Sequence, residues 1–412
     1  MVGNINARVA VVGAGYAGLA CAVELAAAGV TVDVFEASRT LGGRARAAEL
    51  DGMTVDNGAH ILAGAYRETL RLMEKVGAGG AALNRHPLHL EYPGRIRIAA
   101  PRLPAPLHLA WALLAARGLL WNEKIAALRF MRALEKARFR LPRDITARQL
   151  IANQPPALRR FLWEPLCLAA LNTPVALASA QVFLNVLRDS LAADRAASDL
   201  LLPATDFSAL FPEPAARFVE SRGGRVHRST RIQSLDELAA FDHRVLAVAP
   251  WHLPALAPWL PLPAFAWQPI ATIYLQYPEH VRLAFPMLGL AGGHGQWVFD
   301  RGALQGQAGL LAVVISGAGP WQTLGHARLG QAIHRELCPL LPGLALPRKT
   351  WVIEEKRATF ACTPGLQRPP TATADPTLWL AGDYVAGDYP ATLEGAVRSG
   401  VAAAQSILRK TA

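Results

Sequence analysis

The stretch that decides the fold is VAVVGAGYAGLACAVELAAAGVTVDVFE, which occupies residues 9–36 of this 412-residue chain. Residues 9–12 are a short run of apolar side chains and are predicted to form a buried strand. A glycine turn follows, and residues 16–28 are predicted to form an amphipathic helix that ends at Gly29. Residues 31–35 are predicted to form a second strand, which ends at Glu36. This order of elements is typical of a parallel βαβ unit.

The turn carries glycines in GxGxxG spacing, and each position has a physical role. The first glycine permits a tight turn, the second lets a pyrophosphate approach the backbone, and the third lets the helix pack closely on the strands. The free N–H groups and the positive dipole at the helix start attract phosphate. Glu36 can accept hydrogen bonds from both ribose hydroxyls, and its charge would repel a 2′-phosphate. The dinucleotide contacts predicted here are Gly13, Ala14, Gly15, Tyr16, Ala17, Gly18, Glu36 and Ala37.

Two other segments carry glycine-rich patterns. Gly42, Gly43 and Arg44 follow the ribose carboxylate and are predicted to cross the phosphates, which Arg44 could neutralise. Residues 52–60, GMTVDNGAH, are predicted to form a strand that ends in a glycine turn. Near the end of the chain, residues 378–381 are predicted to form a buried strand, which a loop joins to a final helix.

Composition and charge narrow the class of protein. Charged residues make up 18% of the chain and apolar residues 52%, which is too apolar for a disordered protein. The formal net charge of +11 is compatible with nucleic-acid or acidic-membrane partners. We expect no nucleic-acid partner, because no nucleic-acid-binding motif is present. The four cysteines lie far apart without a CxxC pair, so neither a metal site nor a disulfide framework is predicted.

The sequence favours a cytoplasmic location. The first predicted strand begins within ten residues of the start, with no basic segment or cleavage site of a secretory signal before it. The most apolar window, residues 103–121, contains two prolines, His108 and Arg117, and is a poor candidate for a spanning helix.

Residues 122–141 form a basic amphipathic pattern that has two interpretations. Ala127, Phe130, Leu134, Ala137 and Leu141 recur at three- and four-residue spacing, and the opposite face carries Arg129, Arg132, Lys136 and Arg140. Such a helix beside an apolar stretch suits peripheral contact with an anionic membrane, for which we mark residues 103–141. It equally suits a surface helix with a solvated basic face.

The motifs together resemble a known superfamily. The GxGxxG turn with Glu36, the run Leu41 to Arg44, and the pattern Asp56-x-Gly58-x-His60 resemble the flavin-dependent amine oxidases and phytoene desaturases. The resemblance implies FAD as cofactor. It also implies an α/β fold in which a discontinuous Rossmann-like, glutathione-reductase-like FAD-binding domain (residues 1–75, 205–255 and 350–412) accompanies a mixed α+β substrate domain (76–204 and 256–349).

The resemblance adds cofactor contacts. Asp383 would hold the ribityl chain or the pyrophosphate, and the start of the last helix would point at the pyrimidine edge of the flavin. There the helix dipole stabilises the negative charge of reduced flavin. Val226 would return to the adenine side, although an ordinary core position is an equal alternative. The contacts implied are Gly42, Gly43, Arg44, Gly58, Ala59, His60, Val226, Gly382, Asp383, Leu393, Gly395 and Ala396.

Several shorter motifs are similar to those of the squalene-associated branch, the hydroxysqualene dehydroxylases of hopanoid biosynthesis. They are WEPL at residues 163–166, LNT at 171–173, LFPEP at 210–214 and YPATLEGAVRSG at 389–400. This similarity implies an FAD-dependent oxidoreductase that removes the hydroxyl of a C30 isoprenoid, hydroxysqualene, with hydride from reduced flavin to give squalene. The electron donor stays open.

Three alternatives accompany that interpretation. A phytoene- or carotenoid-type desaturase would transfer hydride in the opposite direction. An amine oxidase would need an aromatic pair facing the flavin, which Tyr384 and Tyr389 could imitate. A non-catalytic flavin- or lipid-binding partner of an isoprenoid synthase complex would catalyse neither reaction.

The dehydroxylation requires a proton donor for the leaving hydroxyl, and three candidates border the motifs. These catalytic candidates are His60, Glu164 and Asp388. Each has a structural alternative: a hydrogen-bonded residue that shapes the turn for His60, a carboxylate on a helix surface for Glu164, and a loop or cap acid for Asp388. Four aromatic residues could line an apolar tunnel, but aromatic residues at such spacing are more often plain core, and none of them is predicted as a site residue: Trp163, Trp267, Tyr274 and Trp297.

Overall fold

The computed structural model describes residues 7–80 and 82–411. Residues 1–6 of the predicted first FAD-binding segment lie outside the described residues. The strands are β1 Arg8–Val12, β2 Thr31–Phe35, β3 Ala47–Leu50, β4 Met53–Asp56, β5 Leu62–Ala63, β6 Leu83–His86, β7 His89–Tyr92, β8 Ile96–Ala99, β9 Leu200–Pro203, β10 Arg225–His227, β11 His243–Leu246, β12 Trp267–Gln276, β13 Met287–Gly289, β14 Trp297–Asp300, β15 Leu310–Ser316, β16 Lys349–Phe360 and β17 Leu378–Leu380.

The helices alternate with these strands. They are α1 Tyr16–Ala27, α2 Arg67–Lys75, α3 Leu107–Leu114, α4 Trp121–Lys136, α5 Ala147–Leu150, α6 Pro156–Leu158, α7 Glu164–Leu171, α8 Ala180–Leu191, α9 Phe207–Leu210, α10 Pro212–Ser221, α11 Leu253–Leu256, α12 Arg301–Gln305, α13 His326–Leu337 and α14 Leu393–Thr411. In the described part of the chain, no helix is both long enough and apolar enough to cross a bilayer.

A parallel five-stranded sheet in the order β10-β2-β1-β11-β17 forms the first layer. β1 is central, and its alternating side chains enter two different cores. Val9 and Val11 pack with α1 and α14, whereas Ala10 and Val12 pack on the other face with residues such as Phe183. Burial on both faces explains why β1 is a continuous apolar run. The strands come from all three predicted FAD-binding segments, and their carboxyl ends meet at one edge.

Helices α1 and α14 pack closely over this sheet because small residues lie at their contact. A Cβ at Gly400 would lie 2.1 Å from the carbonyl oxygen of Ala17, so only glycine fits there. A Cβ at Gly18 would lie 1.9 Å from the carbonyl oxygen of Gly13. The third glycine of the motif therefore serves the packing of α1 against the turn.

An antiparallel sheet in the order β13-β14-β15-β12-β16 forms the second layer. Leu329, Ile333 and Leu337 of α13 pack against β12 on one face of this sheet. β16 pairs with β12 from Lys349 to Phe360, so residues 350–360 of the third predicted FAD-binding segment form an edge strand of this sheet. The charged residues at 354–357 break the apolar alternation that would have predicted this strand.

Short strands also occur in the region between residues 62 and 203. The hairpin β7–β8 and the pairs β6–β9 and β5–β9 lie in or border this region. These strands are only two to four residues long, too short for a period-two pattern to emerge. Helix α4 ends at Lys136 rather than at residue 141, because Arg138 and Phe139 adopt positive φ angles.

Candidate active site

One large cavity of about 1130 Å³ lies between the two sheets. Its walls include the carboxyl ends of β1, β2 and β11 on one side and residues of β12, β14, β15 and β16 on the other. The crevice beyond the carboxyl ends of parallel strands is where α/β sheets bind ligands. The cavity therefore defines the candidate site.

The glycine turn after β1 forms one end of the cavity. Gly13 has φ +107°, and a Cβ there would lie 2.7 Å from the carbonyl oxygen of Ala247. At Gly15, by contrast, a Cβ would meet nothing closer than 3.8 Å, and the cavity reaches its backbone. The turn thus leaves open space next to the start of α1, which a pyrophosphate requires.

Glu36 lies at the carboxyl end of β2 and lines the cavity. Its carboxylate accepts hydrogen bonds from the backbone N–H groups of Ala14 and Ser38, each at 2.8 Å. These bonds fix the carboxylate beside the glycine turn, and each oxygen keeps acceptor capacity. This geometry suits two vicinal ribose hydroxyls.

The front and the back of the chain meet at an ion pair. Arg44 Nη2 lies 2.5 Å from Asp383 Oδ1, and Arg44 Nη1 donates to the carbonyl oxygen of Ala358 at 2.7 Å. Asp383 pairs with the charge of Arg44, and the contact of Arg44 with the cofactor phosphates stays a prediction. The pair brings residues 339 positions apart to one cavity wall.

The carboxylate of Glu394 holds the C-terminal helix in place. Glu394 is fully buried and accepts hydrogen bonds from the backbone N–H groups of Glu68 and Thr69 at 3.1 and 3.0 Å. It also accepts from Arg398 Nε at 2.7 Å. Glu394 therefore caps α2 and orients the start of α14, a role that the sequence analysis did not assign.

Most of the predicted cofactor contacts line the cavity. These are Gly13, Gly15, Tyr16, Ala17, Glu36, Ala37, Gly42, Gly43, Arg44, Gly58, Ala59, His60, Gly382, Asp383, Leu393 and Ala396. Ala14, Gly18, Val226 and Gly395 do not line it. Val226 pairs with Val34 in the sheet and packs against the core, so its alternative interpretation is the better one.

The part of the cavity next to β10 contains residues that were not predicted from the sequence. Thr230, Arg231, Ile232 and Gln233 follow β10 and line the cavity. Residues 231–234 form a loop. Their position was predictable in principle, because residues just beyond the carboxyl end of a parallel strand lie at the binding edge.

Of the three catalytic candidates, only His60 lines the cavity. His60 lines the cavity and contacts Phe207 edge to face at 5.2 Å. Burial, together with the nearby Arg44, lowers the pKa of His60 to about 4. Glu164 lies outside the cavity lining, and Asp388 is an exposed loop residue that also lies outside it. The geometry therefore gives no support to a role for Glu164 or Asp388 in the chemistry.

The far end of the cavity is apolar. Its walls there are Leu88, Leu90, Leu166, Ala169, Ala170, Met287, Trp297, Phe299 and Val314. Trp297, which the sequence analysis expected to be plain core, thus faces the cavity. Tyr384 lines the cavity but Tyr389 does not. The hydroxyl of Tyr389 instead donates a hydrogen bond to Asp189 at 2.9 Å. The described residues therefore do not present these two tyrosines as a facing pair.

One titratable side chain lies within this apolar end. His89 lines the cavity, stacks on Phe285 with ring centroids 4.0 Å apart, and places Nε2 2.8 Å from Glu91 Oε2. Alternation along β7 puts residues 89 and 91 on the same face, which explains the pairing. The sequence analysis missed His89 because it missed the strand that carries it.

The LNT motif fixes the cavity wall between the two ends. Asn172 ends α7 in the left-handed conformation, with φ +44°. Its amide donates to Thr359 Oγ1 at 3.0 Å and accepts from the backbone N–H of Gly317 at 2.7 Å. Asn172 and Thr359 both line the cavity, so the motif joins α7 to the antiparallel sheet at the site.

Comparison with known proteins agrees with this geometry. The family described as flavin containing amine oxidoreductase matches residues 16–408. This chain belongs to that family. FAD is its cofactor, and the open glycine turn and the fixed Glu36 carboxylate fit the pyrophosphate and ribose of a dinucleotide. The predictions of an FAD-dependent oxidoreductase and of an α/β FAD-binding fold are thereby confirmed.

Full-length relatives carry two kinds of name. A hydroxysqualene dehydroxylase of Sinorhizobium fredii is 29% identical over 98% of this chain and 99% of its own length. A zeta-carotene desaturase of Synechocystis is 25% identical over 98% of each. Among solved structures, the cyclohexylamine oxidase of Brevibacterium oxydans matches with a TM-score of 0.68 at 18% identity, covering 98% of this chain and 99% of its own.

Proposed function

We propose that this protein is a hydroxysqualene dehydroxylase, which reduces an allylic C30 alcohol to squalene. The observation that carries the proposal is the full-length similarity to relatives of that name, which exceeds the similarity to the desaturases. The apolar end of the cavity supports it, because a C30 hydrocarbon chain needs a long wall without charges.

In this reaction a C–O bond breaks, the hydroxyl leaves as water after taking up a proton, and a C–H bond forms. Bound FAD in its reduced form supplies the hydride. The chain's own residues bind the alcohol and exclude water from the positive charge that develops on carbon. The aromatic side chains of Trp297 and Phe299 line the apolar end, and the face of an aromatic ring stabilises a nearby cation.

We assign proton delivery to His89 rather than to His60. With a pKa of about 4, His60 carries no ionising proton at neutral pH and serves as a neutral hydrogen-bonding group. His89 lies among the apolar walls, and the Glu91 carboxylate holds its ring in one orientation. A carboxylate-oriented histidine is a common general acid.

The test is one anaerobic absorbance experiment on the flavin-loaded protein. After reduction by dithionite, hydroxysqualene dispersed in detergent should restore the oxidised flavin band and yield one squalene per flavin. A desaturase would instead have its oxidised flavin reduced by a polyene precursor, and an amine oxidase by an amine. A protein that responds to none of these would be a binding partner, and the proposal would fall.

The same experiment tests His89. His89→Gln should slow reoxidation by roughly 10²–10⁴-fold, the usual contribution of a general acid, while flavin content stays unchanged. His60→Gln is the matched control and should change the rate much less. Equal effects of the two variants would remove His89 from its assigned role.

A further inference from the structure

Large apolar side chains are exposed in one small part of the surface. Among the described residues, ten such side chains are exposed, and seven of them lie between positions 103 and 125. We call these seven the apolar tip: Leu103, Leu107, Trp111, Leu114, Leu120, Trp121 and Ile125. The two tryptophans have exposed fractions of 57% and 67%. A contiguous apolar patch of this kind marks an interaction site.

The helices of the apolar tip turn their large side chains outward. Leu107, Trp111 and Leu114 share one face of α3, at spacings of four and three residues, while the small Ala112 faces inward and is 1% exposed. In α4, Trp121 and Ile125 are exposed and Ala127 is buried. An ordinary surface helix shows the reverse pattern.

A buried lysine holds the two helices in register. Lys124 Nζ donates to the carbonyl oxygen of Leu114 at 2.7 Å and lies 4.8 Å from the centre of the Trp121 ring. The end of α3 and the start of α4 are therefore tied together, so the tip is one preformed surface. A preformed surface loses little conformational freedom when it binds.

Positive charge surrounds the apolar tip. Residues 95–148 contain twelve Lys or Arg and three Asp or Glu, a net charge of +9 out of the chain's +11. Arg102 and Arg117 are exposed within the tip, and Arg129, Arg132 and Lys136 are exposed along the rest of α4. Apolar side chains ringed by basic ones match the two layers of an anionic bilayer surface.

The apolar tip also lies close to the cavity. Ala112, Ala116 and Ala127 pack in one cluster with Leu90 of β7, and Leu90 itself lines the apolar end of the cavity. One layer of side chains thus separates the outward surface of α3 and α4 from the cavity wall. A substrate that is soluble only in lipid would have a short path from a membrane held at this surface.

We propose that the apolar tip inserts into the surface of an anionic lipid bilayer, with the basic residues of α4 at the level of the headgroups. The protein then lies on the membrane without spanning it. The apolar tip lies within residues 103–141, the region marked for membrane contact from the sequence. Helix α3 with the start of α4 supplies the insertion, and the basic face of α4 supplies the charge.

Vesicle sedimentation of the flavin-loaded protein tests the proposal. Wild type should bind vesicles of equimolar phosphatidylcholine and phosphatidylglycerol, bind pure phosphatidylcholine less, and lose affinity as salt is raised. Trp111→Ala/Trp121→Ala should lower the affinity by about tenfold or more. Trp259→Ala, which removes a tryptophan that is 49% exposed elsewhere, should change nothing.

A second pair of variants isolates the charge. Arg129→Gln/Arg132→Gln/Lys136→Gln should weaken binding to anionic vesicles only, whereas Arg328→Gln/Arg335→Gln on α13 should have no effect. The proposal would be overturned if wild type did not bind anionic vesicles. It would also be overturned if the tip variant bound them as well as wild type does. The proposal would also be overturned if wild type formed a dimer but did not bind vesicles, and if the tip variant were monomeric.

The membrane proposal and the proposed reaction can fail separately. In detergent, the tip variant should keep its flavin and its rate of reoxidation by hydroxysqualene. Loss of vesicle binding with an unchanged rate in detergent supports the membrane proposal alone. Loss of flavin or of the detergent rate in the tip variant would show damage to the fold and count against insertion as the role of these residues.

Discussion

The Glu36 side chain makes two backbone hydrogen bonds at the carboxyl end of β2, and its remaining capacity faces the cavity. We predict that Glu36→Ala weakens FAD binding by roughly 10–100-fold, because hydrogen bonds to a charged group contribute about 1.5–3 kcal/mol. The ratio of flavin to protein absorbance after dialysis measures this. Glu220→Ala, at an exposed position, is the control. Full flavin retention in Glu36→Ala would contradict the assigned ribose contact.

His60 gives the stability of the protein a defined dependence on pH. Its pKa is lowered to about 4 by burial and by Arg44, whereas the unfolded chain has a pKa near 6.5 at this position. As pH falls below 6.5, the unfolded state gains a proton that the folded state does not bind until about pH 4. The free energy of unfolding should therefore fall by up to about 2 kcal/mol between pH 7 and pH 5.

Urea unfolding at constant FAD concentration measures this contribution. His60→Gln should show a smaller loss between pH 7 and pH 5 than wild type. His280→Gln, at an exposed position, should behave like wild type. If the unfolding free energy of His60→Gln depended on pH as that of wild type does, other titratable groups would cause the whole loss of stability between pH 7 and pH 5.

At the scale of elements, a buried ion pair joins β4 to α12. Arg301 Nη1 lies 2.7 Å from Asp56 Oδ2, with side-chain exposures of 4% and 1%. Arg301→Met should lower the free energy of unfolding by about 3–5 kcal/mol, because it leaves a buried carboxylate without its partner. Lys349→Met removes an ion pair of 59% and 57% exposure and should cost less than about 1 kcal/mol. If chemical denaturation showed a similar loss of unfolding free energy in both variants, the buried pair would contribute no more to stability than the exposed one.

The elements that sequence predicts well are those with local signals. The strand 31–35 agrees with the structure residue for residue, and α1 agrees to within one residue. The hairpin β7–β8 and strand β16 were not predicted, because short length or a charged run hides their alternation and their partners are non-local. Missing β7 meant missing His89, so an error in an element became an error in the site.

At the scale of the whole molecule, the cofactor half of the site was predictable and the substrate half was not. Glycines and a ribose carboxylate are required at fixed spacings by one ligand, so the sequence near Gly13 and Glu36 predicts their role directly, whereas the role of Asp383 was implied by the family resemblance. The apolar end is assembled from β7, α7, β14 and β15, whose residues also serve as ordinary core. The sequence around Trp297, which lines the cavity, does not differ in any informative way from that around Trp163, which lies in the core. Only the packing of the folded chain distinguishes the two.

Because the cavity walls come from three distant parts of the chain, FAD bound in this cavity should hold the whole molecule together. Binding to the folded state alone stabilises by about 2.7 kcal/mol at a hundredfold excess over the dissociation constant, and by about 1.4 kcal/mol for each further tenfold. The thermal midpoint should therefore rise steadily with the logarithm of FAD concentration, as followed by circular dichroism. For Glu36→Ala the same rise should begin at a concentration higher by the factor lost in affinity, from a lower midpoint in the absence of FAD because two backbone hydrogen bonds are lost. If the thermal midpoint did not change with FAD concentration, FAD would not bind between the walls of this cavity.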